Sequence, residues 1–395
     1  MPRGRLGLGD PFFEWLPVVG VVALFVWTYY AYVTVLCGRL VEDDVLRLLL
    51  VVAFHALFLL CVWSFVHTTF AGAGRIPAYF SVSVDEKQRL DALTDFHERQ
   101  RYLDELGDKR GILTLGMDGC VRYCAECQRI KPDRCHHCSW CRRCVLKMDH
   151  HCPWFNNCVS FTTQKSFLLT LVYSSLLAGF VAATSVIHAV LAWFGQGLWF
   201  AAINVSALVI GGIYLSVGLG SFFYIHLDNM CRNVTTLEKM RSTVFREPED
   251  SFDIGRTENV AQVFGRSKPL WAIPVLNSLG DGTRFPTKLH PDPNNLQLPL
   301  VRAVKDAPAA TPGSSCAVAP PRLALVPAAV PATLGPRIGF PQPPLPVRGP
   351  SLVGPSLVGP TRPLPKFANY PRMIPQQPST TAAPQGVDKT PAAPK

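Results

Sequence analysis

Charge is scarce in this chain. Of its 395 residues, 17% are Asp, Glu, Lys or Arg, while 48% are hydrophobic. The scarcity is concentrated. Pro17–Leu36 and Leu48–Val66, twenty and nineteen residues long, contain no Asp, Glu, Lys or Arg. Phe167–Phe194 and Leu198–Leu227 are longer and add only His188 and His226. Runs of this length span a hydrocarbon core about 30 Å thick, so four transmembrane helices are expected. A helix buried in a soluble core is the alternative for any single run, but four in one chain favour a membrane protein. The runs also lack paired intramembrane charges, which argues against a channel or transporter. No small-residue cleavage site follows the first run. That run is also too long and too aromatic for a cleavable signal peptide.

The charges that are present set an orientation. Glu42, Asp43 and Asp44 occupy the short link between the first two runs, and the link between the last two is uncharged. Arg3 and Arg5 precede the first run, and most Lys and Arg lie in the middle loop and the C-terminal region. The positive-inside rule then places the N-terminus, middle loop and tail in the cytosol. The net charge of +10 suits an anionic inner leaflet and phosphate groups better than nucleic acid.

Within that middle loop lies a dense cluster of cysteine and histidine. It reads Cys124-x2-Cys127-x9-His137-Cys138-x2-Cys141-x2-Cys144-x4-Asp149-His150-His151-Cys152-x5-Cys158. Between positions 120 and 158 there are nine cysteines and four histidines. In a reducing compartment such spacing indicates metal ligation rather than disulfides. Three Cys-x2-Cys steps have the pitch of zinc knuckles. Two closed tetrahedral sites need eight ligands, so this stretch has groups to spare. A structural double-zinc module would leave the surplus idle. A catalytic reading uses Asp149, His150 and Cys152: a carboxylate orients an imidazole, the imidazole takes a thiol proton, and the thiolate attacks.

Outside the cluster, residues 84–106 read as one amphipathic helix. Ser83 and Glu86 form a capping box, and Leu90, Leu93, Phe96, Leu103 and Leu106 mark an apolar face. Such a helix would lie on the membrane surface or serve as a solvated connector. From about residue 287 proline, alanine and small polar residues dominate, and Ser-Leu-Val-Gly-Pro occurs twice at 351–360. That composition cannot offset its ordering entropy, so a disordered Pro-rich tail is expected. Pro343–Arg348 contains Pro-x-x-Pro-x-Arg, a pattern that SH3 domains bind.

The cluster, with Pro153-Trp154-x-Asn156-Asn157-Cys158 after it, resembles the cysteine-rich domain of the DHHC protein S-acyltransferases, or palmitoyltransferases. The likeness extends over roughly residues 12–286. It includes Trp27-Thr28-Tyr29-Tyr30-Ala31-Tyr32 in the first run, Thr235-Thr236-Leu237-Glu238, and Asn259-Val260-Ala261-Gln262-Val263-Phe264-Gly265. The last hundred residues show none.

The resemblance implies an α-helical integral membrane protein with a cytosolic zinc-binding domain between helices 2 and 3. The expected segments are 1–16, a cytosolic N-terminus; 17–66, helices 1 and 2; 67–119, a connector; 120–166, the zinc domain; 167–227, helices 3 and 4; 228–286, a cytosolic C-terminal region; and 287–395, the tail. It implies two structural zinc ions in interleaved Cys3His sites. One set is Cys124, Cys127, His137 and Cys144, and the other is Cys138, Cys141, His151 and Cys158. Cys152 would be the acyl-accepting nucleophile, His150 its base and Asp149 the orienting carboxylate. The donor would be a long-chain acyl-CoA such as palmitoyl-CoA, and the acceptors cysteine thiols of membrane-associated proteins. Arg122, Lys131 and Arg134 would meet CoA phosphates, with a solvated basic face as the alternative. Trp154 would line the acyl cavity near the thioester, and Thr28 and Leu177 its far end. Thr236 would bond the catalytic carboxylate, with Glu238 and Asn259 as structural polar groups. The host membrane would be Golgi, ER or plasma membrane. Cys135 stands where related proteins carry a small non-thiol residue, and Cys231 occupies a juxtamembrane acylation position. A non-catalytic zinc-stabilised adaptor recruiting partners through its tail is the competing function.

Overall fold

The structure, a computed structural model, describes residues 11–292. Arg3, Arg5, Cys316, the Pro343–Arg348 pattern and all but the first residues of the proline-rich segment lie outside the described residues. Four of the described helices are long and apolar enough to cross a membrane. The first comprises α1, Pro11–Tyr29, and a π-helical continuation, Tyr30–Leu40. The second is α2, Asp44–Phe70. Both overrun the apolar stretches that marked them, because polar groups at their ends complete the backbone. Asp43 caps α2 by accepting from the Leu46 amide at 2.6 Å. Arg47 then reaches back to the carbonyls of Cys37 at 3.0 Å and Val41 at 2.6 Å, which the ending first helix leaves unpaired.

After α2 the chain forms α3, Val84–Ala92, and α4, Phe96–Lys109. The single helix expected over 84–106 is therefore broken. The break is at Leu93–Asp95, where Asp95 caps a new helix through the Glu98 amide at 2.9 Å. The Ser83–Glu86 capping box is present. Most of the apolar face is covered within the domain, although Phe96 is 62% exposed. Leu90, Tyr102, Leu103 and Leu106 pack against Phe80, Ile112, Val121 and Ile130.

Short two-stranded ladders follow. β1 (Thr114–Leu115) waits for a distant partner, while β2 (Tyr123–Cys124) pairs with β3 (Arg129–Ile130), β4 (His136–Cys138) with β5 (Arg143–Val145), and β6 (His150–Cys152) with β7 (Asn157–Val159). Then come α5, Gln164–Phe194, and α6, Trp199–Cys231, the two remaining long helices. Gly212 of α6 permits their close approach: a Cβ there would lie 2.7 Å from the Ala178 carbonyl and 2.9 Å from Ala182 Cβ. α7 (Thr236–Met240), β8 (Val244–Phe245, paired with β1) and α8 (Arg256–Phe264) complete the described elements.

Two polar anchors fix the hairpins onto the helices. Asn157 donates to the carbonyls of Thr68 and Ala71 at 3.0 and 2.9 Å, closing the end of α2. Lys165, buried in the first turn of α5, donates to Leu270 O, Val275 O and Asn277 Oδ1 at 2.7, 3.1 and 2.7 Å. The segment after α8 is thereby held against α5. Deep between the helices, Tyr32, Phe54, Leu177, Val181, Val205 and Leu208 form one apolar cluster.

Candidate active site

The three hairpins are variants of one unit. Cys124, Cys138 and Cys152 recur every fourteen residues, each first in its hairpin turn. Gln128, Arg142 and Asn156, at the same spacing, all take left-handed backbone with φ of 49°, 51° and 45°. The registers match as well: Cys124 faces Arg129, Cys138 faces Arg143 and Cys152 faces Asn157. One step earlier in each strand, Tyr123 faces Ile130, His137 faces Cys144 and His151 faces Cys158.

This repetition builds the metal clusters. The turn of one hairpin supplies two cysteines, and the cross-strand pair of the next supplies a histidine and a cysteine. Cys124 and Cys127 meet His137 and Cys144; Cys138 and Cys141 meet His151 and Cys158. His137 Nδ1 lies 3.4, 3.4 and 4.0 Å from the sulfurs of Cys124, Cys127 and Cys144. His151 Nδ1 lies 3.7, 3.5 and 3.7 Å from those of Cys138, Cys141 and Cys158. Tetrahedral zinc with ordinary Zn–S and Zn–N lengths sets nitrogen and sulfur about 3.6 Å apart, so the donor set fits the ion. Glu126 stands 2.9 Å from the far nitrogen of His137, the place of an orienting outer carboxylate.

The third hairpin breaks the pattern. Phe155 stands where Cys127 and Cys141 stand in the others, and among the described residues no fourth hairpin follows to complete a site. Cys152 is therefore a knuckle cysteine outside both clusters. Its side chain is buried among Val18 of α1, Phe65 of α2, Phe167 and Leu171 of α5, and Met230 of α6, at the ends of all four long helices.

Beside it, Asp149 Oδ2 accepts from His150 Nδ1 at 2.6 Å. Thr236 holds the same carboxylate twice, with its amide on Oδ1 and its hydroxyl on Oδ2, both at 2.8 Å. That amide is free because Thr236 opens α7, whose capping box is Thr235 and Glu238. Burial alone would raise the Asp149 pKa, but the bonds from His150 and Thr236 hold it below the usual carboxylate range. Burial alone would likewise lower that of His150, and the Asp149 carboxylate with the Cys152 thiol pushes it up to about 9. The arrangement can take a thiol proton and store it as a stabilised imidazolium.

Glu238 lies at the centre of a second network. Arg134 donates to its two oxygens at 2.8 and 2.7 Å, and to Asn233 Oδ1 and O at 2.7 and 2.9 Å. The guanidinium also lies over the Phe252 ring at 4.4 Å. Its side chain is 0% exposed. Arg134 was expected on a CoA phosphate. Instead it spends its donors inside the protein, because Glu238 and Asn233 present acceptors that the hairpin's own sequence does not reveal. Arg122 is also engaged, with Cys135 O, Thr114 Oγ1 and Pro132 O at 3.2, 3.0 and 3.2 Å. Lys131 is half-buried, and among the described residues its ammonium has no protein hydrogen bond.

The remaining expected positions scatter. Trp154 is 60% exposed in the third turn. Thr28 is half-buried in α1, and Leu177 lies in the deep cluster between the helices. Asn259 is fully buried, donating to Cys231 O at 2.8 Å and Asp253 Oδ1 at 2.6 Å. Cys135 is buried beside Cys124 and Cys144 without belonging to either donor set.

Two further residues were passed over in the sequence. Lys147 is buried, and burial with the nearby Arg134 lowers its pKa to about 7 against the pull of Glu238 and Asp149. His226 of α6 packs beside His150, the rings tilted by 38°. Neither had a signal of its own, since a lone lysine or histidine carries no pattern. The fourteen-residue repeat did have one.

Comparison with known proteins agrees with this construction. The family model for DHHC palmitoyltransferases matches residues 120–243. Human palmitoyltransferase ZDHHC2 is 41% identical over 289 residues, covering 72% of this chain and 79% of that protein. Human palmitoyltransferase ZDHHC20 is 38% identical, covering 70% and 77%. Palmitoyltransferase ZDHHC15 of Xenopus laevis is 35% identical, covering 77% and 89%.

Proposed function

Because the chain belongs to the DHHC palmitoyltransferase family and is a protein S-palmitoyltransferase, we propose that it works through a thioester on Cys152. The donor is a long-chain acyl-CoA and the acceptors are cysteine thiols of membrane-associated proteins. The observation that carries this reading is that Asp149, His150 and Cys152 interact with one another and belong to neither of the two metal-ligand sets.

A free thiol is only a few per cent thiolate near neutral pH, so it needs a base. His150 takes the Cys152 proton while Asp149 fixes the ring and stabilises the imidazolium. The thiolate attacks the thioester carbonyl, the bond to the CoA sulfur breaks, and the leaving thiolate takes the proton from His150. A target thiol repeats the exchange in reverse. The two Cys3His sets would hold zinc, which would supply rigidity; with four protein ligands each, such sites would be closed to substrate.

The position of Cys152 suits the donor. Each buried methylene of the acyl chain is worth about 0.8 kcal/mol, so the chain stays in lipid or between the helices while the CoA head stays in water. The thiol lies at the helix ends, where both demands meet. Lys131, whose ammonium has no hydrogen bond among the described residues, would meet a CoA phosphate, with Arg122 supporting the strand beside it. Trp154 would contact the donor near the thioester, and Thr28 and Leu177 the end of its chain. The hairpin domain faces the cytosol of an endomembrane or the plasma membrane, since acyl-CoA is found there.

Replacing Thr236 with valine removes one charged hydrogen bond from Asp149, worth about 1.5–3 kcal/mol. Acyl-enzyme formation should slow at least about tenfold, with zinc content unchanged, as read by single-turnover kinetics and metal analysis. The function itself is tested by mixing the full chain in lipid vesicles with labelled palmitoyl-CoA and a membrane-anchored cysteine peptide. Label moving onto the peptide thiol supports the acyltransferase. An inert protein with both zinc ions bound would favour the adaptor.

A further inference from the structure

His226 lies one residue layer from the reacting groups, on α6. Its ring centroid is 5.7 Å from that of His150. Phe167 and Phe222 enclose it, at 5.0 and 4.6 Å with interplanar angles of 82° and 85°. Phe167 also touches His150 at 5.5 Å and belongs to the apolar cluster around Cys152. The residue is 8% exposed, and its ring nitrogens are not fully enclosed. Among the described residues it makes no hydrogen bond to protein.

That combination needs an explanation. A polar ring held among aromatic side chains without a protein partner carries a cost. Phenylalanine or leucine would fill an aromatic cage at the end of a membrane helix without that cost. An unpaired group in such a setting calls for an explanation, and a catalytic role is one. His150 already has its partners: Asp149 on Nδ1 and the Cys152 thiol beside the ring. The two histidines therefore do different work.

The reaction supplies what His226 lacks. When the Cys152 sulfur bonds to the thioester carbon, the carbonyl π pair moves onto oxygen and a tetrahedral oxyanion forms. Collapse of that intermediate restores the carbonyl, breaks the carbon–sulfur bond to CoA, and sends the His150 proton to the leaving sulfur. Asp149, His150 and Cys152 are occupied throughout and cannot serve the oxyanion. We propose that His226 is a catalytic residue that donates a ring N–H to the thioester carbonyl oxygen and strengthens this bond as the oxyanion forms. A neutral imidazole always carries one N–H, so no change of protonation is needed.

This inference rests on the Cys152 thioester reading, and the test separates the two. Acyl-enzyme formation from palmitoyl-CoA is timed in vesicles for wild type, His226→Gln and His226→Phe, with zinc content measured for each. Loss of one oxyanion donor lowers the rate about 10²–10³-fold. The expectation is that loss for His226→Phe, in kcat and kcat/KM alike, with zinc retained. His226→Gln keeps an N–H donor and should stay within about tenfold of wild type. If His226 only fills space, the order reverses, because phenylalanine fits an aromatic cage better than glutamine. An active His226→Phe, or a zinc-replete His226→Gln as slow as His226→Phe, overturns the inference. Should His226→Phe lose zinc, His226→Met takes its place with the same two outcomes. A wild type that forms no acyl-enzyme would instead overturn the thioester reading.

Discussion

Serine at Cys152 is expected to abolish acyl transfer and leave the metal content untouched, whereas serine at Cys138 should remove metal and unfold the hairpins. The two cysteines occupy equivalent places in successive repeats, each opening a turn, with equivalent cross-strand registers. Their fates differ because of what surrounds them. Cys138 has Cys141, His151 and Cys158 within ligand distance. Cys152 has Phe155 at the second knuckle position and Phe65, Phe167 and Met230 about it. Structural zinc contributes on the order of 10–16 kcal/mol to small domains. Losing one thiolate from a site interleaved with the other endangers both. Metal analysis beside a transfer assay reads the contrast. Equal zinc loss in the two variants would show that the ligands are wrongly assigned.

Removing Arg134 is the second large effect. Its side chain is 0% exposed and that of Glu238 is 9% exposed. Burial would raise the Glu238 pKa, and the guanidinium reverses this and keeps the carboxylate charged. Arg134→Ala leaves a buried carboxylate with one of its three hydrogen bonds, that from the Thr235 amide, and opens space above Phe252. Breaking such a pair costs about 3–5 kcal/mol. The cost reaches the active site, because Glu238 accepts from the Thr235 amide at 2.8 Å and so shapes the start of α7, where Thr236 holds Asp149. Thermal unfolding in detergent should show a lower midpoint, and acyl-enzyme formation should fall with it. Glu238→Gln in the Arg134→Ala background should restore part of the stability, since no buried charge then remains. An Arg134→Ala protein as stable as wild type, with only weaker donor binding, would return Arg134 to the CoA phosphates.

The helices and the cluster were legible from local pattern alone. Uncharged runs identified all four long helices, although their ends extend past the apolar stretches, since Asp43 and Arg47 complete the backbone where hydropathy has no signal. The division of the ligands was written in the fourteen-residue recurrence of Cys124, Cys138 and Cys152, which reading by Cys-x2-Cys steps alone overlooks. The break at Leu93–Asp95 was obscured because apolar spacing continues through it, while the signal lay in Asp95 as a cap. The employment of Arg134 and the position of His226 were not legible. Arg134 finds its acceptors 99 and 104 residues away, His226 meets His150 across 76 residues of chain, and no local pattern encodes which acceptor a buried arginine will find.

The central claim is a covalent acyl group on Cys152. Labelled palmitoyl-CoA is incubated with the full chain, wild type beside Cys152→Ser, and each is treated with neutral hydroxylamine before the label is counted and the labelled peptide sequenced. The account predicts label on wild type alone, located at Cys152 and released by hydroxylamine. Label on another cysteine that persists in Cys152→Ser, or none on a wild type that still transfers acyl groups, would contradict it.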